Sequence, residues 1–178
     1  MAAVAAGALL LAGCSGTADS NGESSDTLRV VMLGGENETL DYGEAQTYYP
    51  WAVMQNVCDS LVTRVGGPPQ LMLAEEITPN EDSTEWTITL REGPAFHDGT
   101  PVTADDVAAR IEYVAASTGR GGFYSMVDTE NMHTVDERTL TVPLTEPRAD
   151  FVETVLSVAS VIYQDGDGSS ESPGCSGP

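Results

Sequence analysis

The chain has 178 residues, enough to bury one hydrophobic core or to form one lobe of a larger protein. Its 28 acidic side chains far outnumber its 7 basic ones, all arginine, and the formal net charge is −21. A surface this acidic repels nucleic acid and anionic lipid headgroups, so the composition excludes proteins whose task is to bind either polyanion. The acidity is typical of a solubilising surface, and the alternative is a direct role in selecting a cationic ligand.

The first residues are typical of an export signal. Residues 2–12 are apolar but too few to span a bilayer, and they lead into the sequence Leu-Ala-Gly-Cys, which resembles the bacterial lipobox. We therefore expect residues 1–13 to be a lipoprotein signal peptide, Cys14 to be lipidated and residues 14–26 to be a flexible tether. The alternative is a buried cysteine on an alanine-rich helix. Because no basic residue precedes Arg29, the true start of such a signal is expected upstream.

Two further cysteines, Cys58 and Cys175, would lie outside the cytoplasm if this export signal is used. Disulfides form in that compartment, but the sequence does not show that the two residues meet. Cys58 also falls in an apolar helical pattern, where a buried thiol is the common outcome. Both alternatives stay open.

Two strands and a helix are predicted in the first half of the remaining chain. Residues 28–33 form an apolar run that ends at two glycines, which is typical of a buried strand opening an α/β domain. A helix is predicted around Pro50, because apolar residues follow it at helical spacing. These residues are Val53, Met54, Val57 and Leu61. Residues 86–91 alternate large apolar residues with Thr and Arg, which predicts a strand with one face in solvent.

A second helix has a start that several residues specify together. Asp98 and Gly99 indicate a turn, and Thr103 lies three residues before Asp106, which predicts a capping-box-like pair. The expected apolar stripe of this helix is Val107, Ile111 and either Val114 or Ala115.

The last third of the chain is predicted to contain a hairpin and a short helix. Glycines at residues 119–122 interrupt the helix, and residues 132–135 and 139–144 are predicted to pair as a hairpin. Its inward-facing residues would be Leu140, Val142 and Leu144. Residues 151–158 are predicted as a short helix, and residues 164–178 are rich in Gly, Ser and Pro.

Three blocks of sequence occur in an order that is found in a known family. The first joins Thr-Leu-Asp at residues 39–41 to Gln-Asn-Val-Cys-Asp-Ser-Leu-Val at residues 55–62. The second joins Leu-Ala-Glu-Glu at residues 73–76 to Glu-Trp-Thr-Ile-Thr-Leu-Arg at residues 85–91. The third is Phe-His-Asp-Gly-Thr-Pro-Val-Thr-Ala-Asp-Asp-Val at residues 96–107. Together they resemble the family 5 extracellular solute-binding proteins of ABC importers, the peptide/nickel type, and the third block matches the family signature almost letter for letter.

The resemblance implies an α/β fold of the periplasmic-binding-protein-like type II class, in which two lobes close on a ligand. Residues 27–163 would then form part of the first lobe, followed by the tail at residues 164–178. Residues 174–178 look like the family's Gly-Thr-Gly-Pro-Tyr segment, which precedes the crossing into the second lobe, so we expect the sequence to be a fragment. Two departures from the family pattern are Tyr42 in place of proline and Cys58 in place of an aromatic residue.

The function that the resemblance implies is solute binding at the extracytoplasmic face of the membrane or in the periplasm. Such a lipoprotein delivers peptides or similar small solutes to the permease and ATPase of an ABC importer. The alternative is a sensory or interaction lipoprotein on the same fold, without a transport partner. The identity of the ligand is not predicted, because the second lobe normally contributes much of the specificity.

No catalytic or metal site is predicted. His97 and Asp98 are adjacent in the signature, but a metal site needs three or four convergent ligands. The only other histidine, His133, lies on a predicted strand, so we expect His97 to have an architectural role. The sequence has no recognisable nucleophile and base pattern, paired carboxylates or phosphate loop, and neither catalysis nor a cofactor is expected.

The resemblance also implies which residues contact the ligand. In related proteins the segment after Thr-Leu-Asp runs beside an extended ligand, and it corresponds to Gln46, Thr47 and Tyr48 here. An aromatic residue after the signature helix also reaches the cleft, and it corresponds to Phe123 or Tyr124. Polar backbone beside an aromatic wall suits peptide-like ligands held by main-chain hydrogen bonds. The alternative is that these are ordinary exposed loop residues.

Overall fold

The computed structural model describes residues 31, 39–41, 43–45, 47–64, 66–157, 160–166 and 174–177. Cys14, Gln46 and the predicted strand 28–33, apart from Val31, lie outside the described residues, as do the predicted signal peptide and tether. All elements named below belong to the unit Met32–Pro178. Within the described ranges, no helix combines the length and apolar character that crossing a membrane requires.

The elements are two helices, six short strands and three short helical turns among the described residues. Helix α1 (Tyr48–Val57) is followed by strands β1 (Val62–Thr63), β2 (Gln70–Leu71), β3 (Ala74–Pro79) and β4 (Glu85–Leu90). Next come helix α2 (Ala104–Ala116) and a 3-10 turn (Gly121–Tyr124). Strands β5 (His133–Asp136) and β6 (Thr139–Pro143) precede a π-helical turn (Val152–Leu156) and a 3-10 turn (Gln164–Gly166).

The main sheet has four antiparallel strands in the order β3, β4, β6, β5, and β1 pairs with β2 separately. On β4, Trp86, Ile88 and Leu90 are buried and alternate with half-buried residues. Opposite them on β6, Val142 faces Trp86 and Leu140 faces Ile88. Both β6 residues are at most 1% exposed, so the predicted strand, hairpin and inward face are confirmed.

Helix α2 begins where the sequence predicts. Thr103 is the N-cap, and a complete capping box joins it to Asp106. Val107, Ile111 and Val114 are at most 3% exposed, whereas Ala115 is only partly buried. The predicted apolar stripe is therefore confirmed, with Val114 as its third member.

Helix α1 is shorter than its predicted apolar pattern. It ends at Val57, whose side chain is 46% exposed, because Cys58 has an extended backbone. Leu61 is buried at 1% exposure, but it lies beyond the helix and packs from the loop before β1. Of the four apolar residues at helical spacing, only Met54 is buried within the helix, and the prediction that Leu61 continues the helix is wrong.

Two described segments near the C-terminus pack into the fold. The predicted helix at residues 151–158 consists of Phe151 and the π-helical turn that follows it, whereas Val158 lies outside the described residues. Within the Gly/Ser/Pro-rich stretch, Cys175 and Ser176 are at most 1% exposed. They pair by isolated bridges with Tyr163 and Phe96 respectively, so this short segment is part of the packed fold.

Candidate ligand-binding site

The C-terminal end of α2 receives the segment that precedes α1. The Ser117 hydroxyl donates to the Gly43 carbonyl at 3.0 Å. Thr118 donates its backbone N–H and its hydroxyl to the two carboxylate oxygens of Glu44, at 3.1 and 2.8 Å. These side chain contacts fix the backbone of residues 43 and 44 against the end of a helix whose start is itself capped.

Gly119 allows the two segments to approach closely. A Cβ atom on Gly119 would lie 2.7 Å from the Gly43 carbonyl oxygen and 2.8 Å from Glu44 Cα. Both atoms belong to the backbone and cannot move aside as a side chain would. The absence of a side chain at residue 119 therefore decides the distance between the segments.

An open groove follows directly from this contact. It is lined by Ala45, Thr118, Gly119, Arg120 and Phe123. The Arg120 Nε group donates to the Ala45 carbonyl at 3.2 Å, and this hydrogen bond links the two segments. The Phe123 side chain is 49% exposed at its edge. The groove thus combines an exposed threonine, Thr118, one guanidinium and an exposed aromatic ring.

A second exposed aromatic residue stands at the start of α1. Tyr48 is 67% exposed, and its ring centroid lies 4.5 Å from that of Trp51 one turn later. Thr47, the N-cap residue of α1, is also exposed. Because residue 45 lines the groove, the segment that carries Thr47 and Tyr48 continues from its edge.

The signature turn, for which the sequence predicts an architectural role, is held by hydrogen bonds. The Asp98 carboxylate accepts the backbone N–H and the hydroxyl of Thr100, at 2.9 and 2.7 Å. The Thr100 hydroxyl, followed by its N–H, lowers the pKa of Asp98 below its ordinary value. His97 donates its backbone N–H to the Cys175 carbonyl at 3.1 Å. Within the described ranges no three His, Cys, Asp or Glu residues are grouped as a metal site would require.

Cys58 and Cys175 form a disulfide, which resolves the alternatives left by the sequence. Their Cα atoms are 5.6 Å apart although 117 positions separate them along the chain. The bond joins the end of α1 to the segment beside His97, whose Nδ1 lies 3.9 Å from the Cys175 sulfur. The disulfide therefore holds the C-terminal end of α1 covalently to the segment that contains Cys175.

The comparison with known families identifies the chain. Residues 68–178 match the model described as "Bacterial extracellular solute-binding proteins, family 5 Middle", which is more than half of the sequence. The chain belongs to this family. The fold class implied by the resemblance is confirmed as well, since the solved structures it matches are large two-lobed binding proteins of family 5.

Several relatives of this family 5 chain have names that state a ligand class. The oligopeptide-binding protein OppA of Bacillus subtilis is 28% identical over 173 residues, covering 82% of this chain and 31% of OppA. A probable peptide ABC transporter periplasmic-binding protein of Sinorhizobium fredii is 40% identical over 68 residues, covering 38% of this chain and 13% of that protein. The family 5 chain thus spans less than a third of the length of either relative.

The chain also covers less than a third of the solved structures that it matches here. AgaA of A. tumefaciens R10, in complex with agropinic acid, is 30% identical with a TM-score of 0.65, covering 74% of this chain and 27% of AgaA. The murein tripeptide binding protein MppA, in an unliganded open form, has a TM-score of 0.63 at 23% identity, covering 71% of this chain and 28% of MppA. The second likeness concerns the fold alone.

The structure separates the residues that the resemblance implied for this family 5 site. Thr47, Tyr48 and Phe123 are exposed, and Phe123 lines the groove. Tyr124 is 1% exposed, so of the two aromatic residues only Phe123 presents its ring to solvent. The two residues are neighbours in the 3-10 turn at Gly121–Tyr124, where successive side chains point about 120° apart and so meet different surroundings.

Two features of the site were missed by the sequence reasoning. Arg120 was treated as part of a glycine-rich interruption, and Glu44 was not singled out at all. Each meets its partner across 74 or 75 positions of the chain. No periodicity or turn motif indicates such a contact. The signal that was present is the pair of glycines around Arg120, which allows close approach of another backbone.

Proposed function

We propose that this chain is the ligand-contacting part of the first lobe of an extracytoplasmic lipoprotein that binds peptides or similar small solutes. It would deliver them to the permease and ATPase of an ABC importer and would carry out no chemical reaction itself. The observation that carries this proposal is the groove beside Phe123, where a half-exposed aromatic ring lines the same surface as the polar side chains of Thr118 and Arg120. Peptide-binding names among the relatives support the ligand class.

The groove suits an extended peptide for a physical reason. A peptide backbone offers one donor and one acceptor per residue, and it gains affinity from fixed polar groups that need no reorganisation. The polar side chains that line the groove are those of Thr118 and Arg120, and hydrogen bonds to Glu44 and Ala45 hold both in place. Phe123 and Tyr48 then supply apolar surface for ligand side chains at little entropic cost, since each has only two rotatable side-chain bonds.

Retention of peptides by a purified two-lobed protein that contains this chain tests this function. The protein is incubated with a mixture of tri- to pentapeptides, passed through a desalting column, and its retained peptides are identified by mass spectrometry. A subset of the mixture should be retained at a stoichiometry near one per chain, and an excess of that subset should compete. Retention of no peptide, with retention instead of a sugar or a metal chelate from a parallel mixture, would contradict the peptide class.

The lipoprotein part of the proposal rests on Cys14 and on the division into residues 1–13, 14–26, 27–163 and 164–178. Cleavage before Cys14 and acylation of its sulfur would anchor the protein, while residues 14–26 would serve as the tether. In cells fed a labelled fatty acid and expressing the gene from its natural start, the wild-type protein should incorporate label and sediment with membranes. Cys14→Ser should do neither. Equal labelling of the two proteins would refute the anchor.

A further inference from the structure

A buried ion pair lies behind the groove, between α2 and the segment that leads to the ligand residues. Arg110 and Asp41 have side chains that are 1% and 2% exposed, and Arg110 Nη1 lies 3.5 Å from Asp41 Oδ1. The same Nη1 donates to the Gly166 carbonyl at 3.2 Å. The guanidinium therefore joins α2 to two segments that are distant in the sequence.

Asp41 organises the turn that carries the edge of the groove. Its carboxylate accepts the Gly43 N–H at 2.9 Å and the Tyr113 hydroxyl. Its carbonyl accepts the N–H groups of Glu44 and Ala45, at 3.2 and 2.9 Å. Since Ala45 lines the groove, the position of Asp41 determines where this side of the groove lies.

Aromatic rings fix the guanidinium in turn. The Arg110 Cζ atom lies 4.6 Å from the Tyr163 ring centroid and 5.3 Å from that of Tyr113. The Tyr163 hydroxyl donates to the Leu40 carbonyl at 3.1 Å, directly before Asp41. The two tyrosines thus contact both the cation and the segment that holds its anion.

This arrangement is a poor way to gain stability. A fully buried ion pair loses the hydration of both charges, and a well-packed apolar pair of similar size is often equally stable or more so. The cost is greater here because Arg110 Nε and Nη2 find no hydrogen-bond partner among the described residues. The ion pair instead orients the Asp41 side chain, because a charge-assisted contact in the buried interior restricts Asp41 to a narrow set of positions.

We propose that Arg110 is a positioning residue for the ligand-binding groove. Through Asp41 it fixes the turn that ends at Ala45. It therefore sets the position of Ala45 relative to Phe123 across the groove. The inference about the turn stands on the contacts above, whereas its consequence for peptide binding rests on the proposed function.

Amide hydrogen exchange in the full chain, measured residue by residue by NMR without ligand, tests the positioning. The variants are Arg110→Met, Asp41→Asn with Arg110→Met, and Val107→Ala as a control. Val107 is fully buried on the same helix but has no part in the ion pair, so its truncation should destabilise the whole fold evenly. The Leu90 N–H donates to the Arg138 carbonyl at 2.8 Å, and its exchange rate reports on global opening of the fold.

In both Arg110 variants, the amides of Glu44 and Ala45 should exchange at least about tenfold faster relative to Leu90 than in the wild type. In Val107→Ala, the exchange ratio between these amides and Leu90 should remain unchanged. The double variant keeps the test decisive if Arg110→Met alone fails to fold, because it removes both charges together. Wild-type exchange at Glu44 and Ala45 in the double variant, or an equal rise at Leu90, would overturn the proposal.

Titration with the peptide best retained by the wild type adds a separate readout. The double variant should bind it about tenfold more weakly than Val107→Ala, whose groove is intact. Equal affinities of these two variants would overturn the role in binding. If the wild type retains no peptide, the proposed function fails, and the exchange ratios still decide whether Arg110 positions the turn.

Discussion

At the start of α2, Thr103 and Asp106 satisfy two backbone N–H groups that the first turn of a helix leaves without internal partners. The Thr103 hydroxyl accepts the Asp106 N–H at 3.4 Å, and the Asp106 carboxylate accepts the Thr103 N–H at 2.8 Å. The Asp106 charge also lies where the helix dipole favours an anion. All of these contacts join residues within three positions, which is why the sequence was sufficient to predict them.

Removing the cap should destabilise the protein without changing its ligand preference. Thr103→Ala is expected to lower the free energy of unfolding by about 1 kcal/mol, since the Asp106 N–H loses its acceptor. Urea unfolding measures this difference, with Thr103→Ser as the control that keeps the hydroxyl and should stay close to the wild type. Identical midpoints for all three proteins would mean that α2 does not depend on this cap.

Gly119 should tolerate no side chain, because a methyl group there would collide with the backbone of Gly43 and Glu44. We expect Gly119→Ala to cost about 1 to 3 kcal/mol and to weaken peptide binding by displacing the groove edge. Gly122→Ala is a matched control, since a Cβ atom at that position meets nothing within 4 Å. Thermal unfolding compares the two variants. Equal melting temperatures would show that the close approach is not required.

Phe123 and Tyr124 mark the limit of prediction at this scale. The family resemblance implies an aromatic residue at the cleft and leaves the choice between the two open. Their exposures of 49% and 1% depend on how a short 3-10 turn packs against the rest of the lobe. That packing is a tertiary property, and neither residue type nor local spacing encodes it.

Among the elements, those with local signals were predicted well. Strand β4 and the β5–β6 hairpin follow from alternation between apolar and polar residues, and α2 follows from its cap and stripe. Helix α1 was predicted less well, because Leu61 has the spacing of a helical stripe but lies in the loop after the helix. The buried end of the chain, at Cys175 and Ser176, could not be predicted from a composition rich in Gly, Ser and Pro.

The disulfide is the element-scale contact with the largest expected effect on stability. It closes a loop across a sequence separation of 117, and its loss frees that loop in the unfolded state. Cys58→Ala with Cys175→Ala should lower the free energy of unfolding by about 4 kcal/mol. Urea unfolding measures the loss, and the wild type treated with a reductant should reach the same midpoint. In a chain that begins after Cys14, two free thiols titrated in the untreated, unfolded protein would contradict the bond.

At the scale of the whole molecule, the family was predictable because three motifs occur in a fixed order, and the long-range contacts of the site were not. The matched relatives OppA and AgaA are covered over only 31% and 27% of their lengths. Two-lobed binding proteins gain affinity when closure buries the ligand between both surfaces. We therefore expect residues 15–178 alone to bind peptide weakly or not at all.

Calorimetric titration of the best-retained peptide into the wild type, Phe123→Ala and Leu71→Ala tests the central claim most directly. Phe123 and Leu71 are each 49% exposed, so each substitution removes a half-exposed apolar side chain. Only Phe123 lines the groove. Phe123→Ala should weaken binding roughly tenfold, about 1.4 kcal/mol, through the lost aromatic contact, and Leu71→Ala should leave the Kd unchanged. Wild-type affinity in Phe123→Ala, or an equal loss in both variants, would contradict a ligand site at this groove.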